Sequence, residues 1–268
     1  MPSNRSDRVV LVTGASSGIG RAAALEFAKR GSTVVGVARR LDELNKVGEE
    51  AASLGGRFKP VRCDVSEKEQ VFAAVGDTVE EFGRLDVLVN NAGVGLYGEF
   101  KDISLDEVET QVKVNLMGVV YFIEAALPHM LKQKFGRIVN VSSVAGFITV
   151  PSMSLYCAVK SAVTVLSRGL DMELKKHNIR VAAVCPGSVD TPFFNNPSVN
   201  SRGGRPIGPV IKPEKVAKAI VSAAENGGGV KIVPAYYWSA VYLVNTLPFM
   251  YRFVEKGAPK PRAKINKH

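Results

Sequence analysis

Tyr156 and Lys160 stand four residues apart, thirteen and seventeen residues after Ser143. Four residues is about one helical turn, so both side chains can leave one face of a helix and meet one ligand. An unperturbed phenol, with a pKa of about 10, exchanges its proton poorly at neutral pH unless a neighbouring cation favours the phenolate. Lys160 can be that cation. Ser142 and Ser143 close an apolar, β-branched run from Ile138 to Val141, which sets a hydroxyl at a strand terminus where it can face the phenol. Hydroxyl, phenol and ammonium together would polarise a carbonyl. A lone Y-x-x-x-K also describes two amphipathic residues on a helix flank, so the reading depends on what else the chain carries.

It carries a second pattern near its start. The apolar run Val9 to Thr13 leads through Gly14-Ala15-Ser16-Ser17-Gly18-Ile19-Gly20 into a helix-like stretch, Arg21 to Arg30. Glycines at 14, 18 and 20 permit a tight turn and let backbone N–H groups approach a pyrophosphate at the positive end of that helix. The spacing differs from G-x-G-x-x-G, and glycines also serve plain helix packing. Asn90-Asn91-Ala92-Gly93 follows the apolar run Leu85 to Val89, Asn115 sits in an amphipathic segment beyond it, and Pro186-Gly187 and Thr191 follow Val181 to Val184.

In this order and spacing, T-G-x-x-x-G-I-G, N-N-A-G, Asn115, Ser143, Y-x-x-x-K and P-G-x-x-x-T closely resemble the short-chain dehydrogenase/reductase family, over about residues 8 to 233. The resemblance implies an α/β fold, a Rossmann-like doubly wound parallel sheet of seven strands in a single domain, with cofactor and substrate meeting at the carboxyl ends of the strands. Apolar β-branched runs near 9–13, 33–38, 58–62, 85–89, 137–141, 180–184 and 229–233 agree independently, with helix-like stretches between them. The expected organisation is a tail over 1–8, a dinucleotide-binding and catalytic domain over 9–233, and an apolar aromatic segment with a basic tail over 234–268.

Roles follow from the resemblance. Tyr156 is the expected acid or base at the substrate oxygen. Lys160 lowers its pKa and holds the nicotinamide ribose, Ser143 hydrogen-bonds the substrate oxygen, and Asn115 supports a water linking Lys160 to solvent. Ser142 rivals Ser143, but the spacing to Tyr156 favours Ser143. Gly14, Ser16, Ser17, Gly18, Ile19 and Gly20 form the expected phosphate loop, joined by Asn91, Ala92 and Gly93. Pro186, Gly187, Val189 and Thr191, with Ser188 between, resemble the segment that binds the nicotinamide carboxamide. Asp64 and Val65 resemble the adenine contact, while Asp64 on local grounds also suits a helix N-cap before Glu67. The implied reaction interconverts a carbonyl and an alcohol by hydride transfer.

Charge bears on the choice of cofactor. Sites that favour NAD place a carboxylate at the end of the second strand, about twenty residues after the glycine turn. Here that place reads Val37-Ala38-Arg39-Arg40, and guanidinium groups suit a phosphate, so NADP(H) is expected over NAD(H). Arg39 is the first choice for that phosphate and Arg40 a solvated charge at a helix start. Ser17 departs from the basic residue that many NADP-preferring relatives carry before the second glycine.

The substrate is expected to be a lipophilic ketone, aldehyde or alcohol. Loops 144–155 and 188–212 would wall its pocket with Val144, Phe147, Val150, Leu155, Phe193 and Phe194, and the first loop holds no cation. Several of these residues equally suit core packing. Cysteines at 63, 157 and 185 have no metal-ligand spacing, so no metal is expected, and with the polar stretch Met1 to Arg8 they point to a reduced cytoplasmic protein.

From Ile232 to Tyr251 no residue is charged, and six of the twenty are aromatic rings. Arg252, Lys256, Lys260, Arg262, Lys264 and Lys267 then stand against Glu255 alone, a surplus of five within the chain's formal net charge of +10. Such a segment suits peripheral contact with an anionic membrane, while Pro234 and Pro248 argue against a span. It could equally cap the pocket or a subunit interface. Ala162, Leu166, Leu170 and Leu174 give the Tyr156 helix an apolar face consistent with core burial and with a homodimer or homotetramer. The other basic residues are scattered and no readout motif accompanies them, so nucleic acid is not an expected partner. A non-catalytic NADP- or lipid-binding protein of the same fold, tethered to a membrane surface, is the alternative. The intact set Asn115, Ser143, Tyr156 and Lys160 speaks against it.

Overall fold

Each β-branched run becomes a strand in the computed structural model, which describes residues 8–259 and 261. The strands are β1 (Val9–Thr13), β2 (Thr33–Ala38), β3 (Arg57–Arg62), β4 (Val87–Asn90), β5 (Gly136–Val141), β6 (Ile179–Pro186) and β7 (Gly229–Val233). All six pairings are parallel, in the order β3-β2-β1-β4-β5-β6-β7. The order reverses between β1 and β4. In a doubly wound sheet that reversal opens a crevice at the carboxyl ends of the strands, which is where the glycine loop after β1 and Asn90–Gly93 after β4 both stand.

The helices are α1 (Gly18–Lys29), α2 (Leu41–Ser53), α3 (Lys68–Phe82), α4 (Leu105–Val112), α5 (Gly118–Lys132), α6 (Ser154–Leu174), α7 (Pro197–Asn200), α8 (Pro213–Asn226), α9 (Tyr237–Thr246) and α10 (Tyr251–Gly257). Strand alternation divides the core between the two faces of the sheet. Val10 and Val12 of β1 pack with Ala23 and Phe27 of α1 and Ile220 and Val221 of α8. Leu11 points the other way, into a cluster with Val71 of α3 and Phe122 and Met130 of α5. Burial on both faces is why β1 and β2 read as unbroken apolar runs rather than alternating ones.

Two segments are less regular than the sequence pattern indicates. Lys113–Met117, between α4 and α5, forms a π turn that contains Asn115. The charge-free run after β7 does not make one long helix. It breaks at Leu247, whose backbone is not helical, into α9, a single 3₁₀ turn (Pro248–Met250) and α10. Among the described residues, Leu105–Lys132 is the only helix long and apolar enough to cross a membrane. Its α5 portion places Phe122, Ala126 and Met130 in the protein core.

Candidate active site

At the end of β1 the chain turns at Gly14, with φ +66°, and a Cβ on Gly20 would lie 2.3 Å from the Gly14 carbonyl oxygen. Glycine at 20 therefore lets the first turn of α1 close against the loop, and Gly20 itself stands behind the crevice rather than in its wall. Ser17 occupies the N-cap of α1 without a side-chain cap bond, and the first turn holds no acidic residue. The N–H groups and positive dipole end of α1 thus remain available to an anion. Thr13 links the two loops at the switch point: its Oγ1 accepts from the backbone N–H groups of Asn91 and Ala92 at 2.9 and 3.0 Å.

Arg40 is exposed at the N-cap of α2, as expected of a charge at a helix start, but it is not idle. Its Nη2 reaches back to donate to Ser16 Oγ and Ser17 Oγ, both at 3.2 Å. Arg39 is 72% exposed, with Nη1 3.8 Å from Asp64 Oδ2. Asp64 does not cap α3. Its Oδ1 accepts from the backbone N–H and hydroxyl of Ser66 at 3.0 and 2.8 Å, and Glu67 takes the N-cap position.

Asn115 is fully buried, and its amide bonds to the main chain of Val94 in both directions at 2.8 Å. The side chain therefore holds the turn after β4. What this segment can still offer is main-chain groups, which a π turn displaces from their α-helical partners. The π turn carries no signature in the local sequence.

On α6, Tyr156 and Lys160 face the crevice from one side of the helix, with the Lys160 Nζ 5.8 Å from the centre of the phenol ring. Lys160 donates to the Val141 carbonyl at 2.9 Å, which anchors the ammonium to the end of β5. Ser143 begins the 3₁₀ turn Val144–Gly146, where its Oγ accepts from Ala145 N at 3.1 Å and donates to the Pro186 carbonyl at 3.4 Å. Ser142 points inward instead. Its hydroxyl donates to the Lys160 carbonyl at 2.7 Å and lies 2.8 Å from Thr164 Oγ1. Thr191 begins the 3₁₀ turn Pro192–Asn195 and packs across the glycine loop, its Cγ2 lying 3.0 Å from where a Cβ on Gly18 would fall.

A family profile described as short chain dehydrogenase matches residues 8–201. A 3-oxoacyl-(acyl-carrier-protein) reductase of Thermotoga maritima is 36% identical over 223 residues, covering 82% of this chain and 91% of that protein. An uncharacterized oxidoreductase of Staphylococcus aureus is 34% identical over 220 residues, with 81% and 91% covered. Among solved structures, levodione reductase superposes with a TM-score of 0.78 at 29% identity, covering 85% of this chain and 96% of that one. A short-chain type dehydrogenase/reductase from Mycobacterium marinum gives 0.77 at 31% identity, covering 87% and 96%.

The chain belongs to the short-chain dehydrogenase/reductase family.

Members of this family are oxidoreductases that use NAD(P)(H), and the crevice of this short-chain dehydrogenase/reductase fits such a dinucleotide. The uncapped α1 terminus and the backbone approach permitted by Gly14 suit a pyrophosphate, and a cleft of about 970 Å³ runs from Ser16, Arg39, Asp64 and Val65 to Ser143 and Tyr156. Ile19, Gly93, Pro186, Gly187 and Val189 line the same cleft. Burial pushes the Tyr156 phenol above its ordinary range, and the neighbouring Ser143 hydroxyl pulls the other way. Burial also draws the Lys160 ammonium down to about 8. Desolvation of both groups thus outweighs the expected lowering of Tyr156 by Lys160.

Two expected pocket residues lie elsewhere. Phe147 is turned away by the 3₁₀ turn before it and packs on Trp238, ring centres 6.1 Å apart, with the Arg168 guanidinium 5.7 Å from its ring. Leu155, one residue before Tyr156, is rotated by about 100° around α6 and leaves the cleft wall. Val144, Val150, Phe193 and Phe194 do line it, and the Phe193 ring lies 5.7 Å from that of Tyr156. Ile148, Met153 and Arg205, inside the loops expected to wall the pocket but not singled out there, also line it, as does Tyr237 from the segment for which a pocket cap was one expectation; sequence reasoning missed the α10 residues Phe253, Val254 and Gly257. No local signal marks them, because loops and helices distant in sequence bring them there.

Proposed function

We propose that the protein is an NADP(H)-dependent oxidoreductase that interconverts a lipophilic ketone or aldehyde and its alcohol. The convergence of Ser143, Tyr156 and Lys160 on a cleft that begins at the uncapped α1 terminus carries this reading. A nicotinamide held along Pro186, Gly187, Val189 and Thr191 would supply or accept the hydride at the carbonyl carbon. In the reducing direction Tyr156 gives its phenolic proton to the carbonyl oxygen, and the Ser143 hydroxyl donates a hydrogen bond to that oxygen. Lys160, anchored on Val141, keeps a positive charge beside the phenol and stabilises the phenolate left behind. In the oxidising direction the same groups run in reverse.

The NADP preference rests on Arg39 and Arg40. No carboxylate follows β2 in their place, and Arg39 can turn from its long contact with Asp64 toward a ribose phosphate. The lipophilic substrate is supported by the lining of the inner cleft, where Val144, Ile148, Val150, Met153 and Phe193 stand with Arg205 and the catalytic Lys160 as the cations. Association with a second copy through α6 is supported by its outward apolar side chains, Val165 and Met172, both exposed and two helical turns apart.

The test is oxidation of NADPH and NADH across a panel of lipophilic ketones and aldehydes, with Tyr156→Phe beside the native chain. Turnover that prefers NADPH and is abolished in the variant is the expected result. Binding of NADPH with no turnover in either direction would instead favour a non-catalytic binding protein.

A further inference from the structure

Surface helices of water-soluble domains are apolar toward the core and polar outward. α9 breaks this rule. Val241 and Val244 hold it against the core, while Trp238, Tyr242 and Leu243 stand exposed beside the uncharged polar residues Ser239, Asn245 and Thr246, and no residue of the helix is charged. Tyr242 is 67% exposed. Exposed apolar side chains recur at Leu247 and Phe249 and at Phe253 on α10, which is 63% exposed, and the 3₁₀ turn packs against both α9 and α10. An exposed surface of this kind marks an interaction site.

Its chemistry selects the occupant. Four of the chain's seven tyrosines and its one tryptophan fall between 236 and 251. Tyrosine and tryptophan rings, apolar with one polar edge, suit the boundary between lipid and water. The rim is cationic. Arg252 and Lys256 are exposed on α10, and Lys260, Arg262, Lys264 and Lys267 follow in the sequence against Glu255 alone. A second copy would offer Arg252 and Lys256 the same cationic rim with Glu255 as the acidic group of α10, whereas an anionic lipid surface would neutralise them. We propose that α9, the turn after it and α10 form a docking surface for an anionic lipid bilayer.

Docking there brings the cleft to the lipid. Phe253, Val254 and Gly257 of α10 line the cleft, and the Tyr97 hydroxyl donates to the Pro259 carbonyl, pinning the end of that helix to the loop after β4. The cleft mouth therefore lies beside the docking face, and a lipophilic substrate can pass from bilayer to cleft without crossing bulk water. This last consequence rests on the substrate reading above, whereas the docking itself does not.

Because Trp238 is the only tryptophan, its fluorescence reports the docking directly. The full chain is mixed, without cofactor or substrate, with phosphatidylcholine vesicles that contain or lack phosphatidylglycerol, and flotation is measured alongside. We expect a blue shift and flotation with the anionic vesicles only, weakened by salt. Tyr242→Ser combined with Phe249→Ser should weaken vesicle binding by about tenfold or more, as should Arg252→Glu combined with Lys256→Glu, with unchanged melting temperatures. Absence of both shift and flotation for the native chain overturns the proposal. So does a fall in molecular mass of the Tyr242/Phe249 variant by light scattering without vesicle binding, which would assign the surface to a second copy. Neither result bears on carbonyl reduction, which is read in a separate assay.

Discussion

The Ser142 hydroxyl donates a hydrogen bond to the main-chain carbonyl of Lys160 at 2.7 Å. Two adjacent serines therefore do different work: Ser142 fastens α6 to the end of β5, and Ser143 turns toward Tyr156. Ser142→Ala should lower stability by about 1–3 kcal/mol, because a buried pairing is lost. At roughly 2–4 °C per kcal/mol for a domain of this size, the change is visible in a thermal melt. Ser143→Ala should leave the melt nearly unchanged and lower kcat by about 10²-fold, the scale of one lost hydrogen-bond donor to a developing oxyanion. Equal effects of the two substitutions on kcat would contradict this division.

Lys160 carries a pH signature. Burial lowers its folded-state pKa to about 8, below its ordinary value of 10.5. Between those values the unfolded chain holds a proton that the folded chain has released, so the penalty for burying the charge is relieved and stability from this group rises with pH. Lys160→Met removes the effect. The melting temperature of the native chain, taken relative to that of the variant, should rise as pH is raised from 7 to 10. Once a substrate is identified, kcat/KM for reduction should fall above about pH 8, where the free enzyme loses the ammonium. A flat profile up to pH 10 would exclude Lys160 as a required cation.

Arg39 has 72% of its side chain exposed and only a long contact with Asp64, so its removal should leave the fold intact. Arg39→Ala should weaken NADPH binding by roughly 10-fold to 100-fold, the range for a hydrogen bond to a charged group, with NADH affinity unchanged. Titration of both cofactors by intrinsic fluorescence or calorimetry checks this. An equal loss for the two would move the phosphate contact to Arg40, which already grips Ser16 and Ser17.

Arg202 is buried after α7, where its Nη2 lies 2.9 Å from Glu107 Oε1 and its Nη1 donates to the Tyr97 carbonyl at 3.3 Å. It joins the loop beside the cleft to the first turn of α4. Arg202→Met should cost about 3 kcal/mol, since it strips a partner from a largely buried pair, and should raise KM more than it lowers kcat. Burial pushes the Glu107 carboxyl up, but the Ser104 N–H and Arg202 outweigh it and hold it below its ordinary range. A depressed acid stabilises the fold above its unfolded pKa, and that contribution fades as pH falls through the folded value. Acid melts of the variant should therefore show a smaller loss than those of the native chain.

Much of the fold was legible because it depends on local pattern. β-Branched runs with no charge become the buried central strands, and the bounds of β1, β2 and β7 coincide with the runs read from the chain. The glycine loop and the four-residue spacing of Tyr156 and Lys160 are likewise short-range geometry. The site was less legible. Phe147 and Leu155 have the composition of pocket residues yet lie outside it, while Arg205, Tyr237 and Phe253 reach it from segments far along the chain.

Sequence alone determined the strand–loop–helix that leaves an α-helix terminus open, the shared face of Tyr156 and Lys160, and the lack of a carboxylate after β2. Each is set by the periods of helix and strand and by residue type. Tertiary structure decided which of two serines meets the phenol, how Asn115 is committed to Val94, and that α10 is pinned by Tyr97 to Pro259 across 162 residues. Side-chain direction at such contacts is chosen by packing between elements distant in sequence, and no local period encodes it.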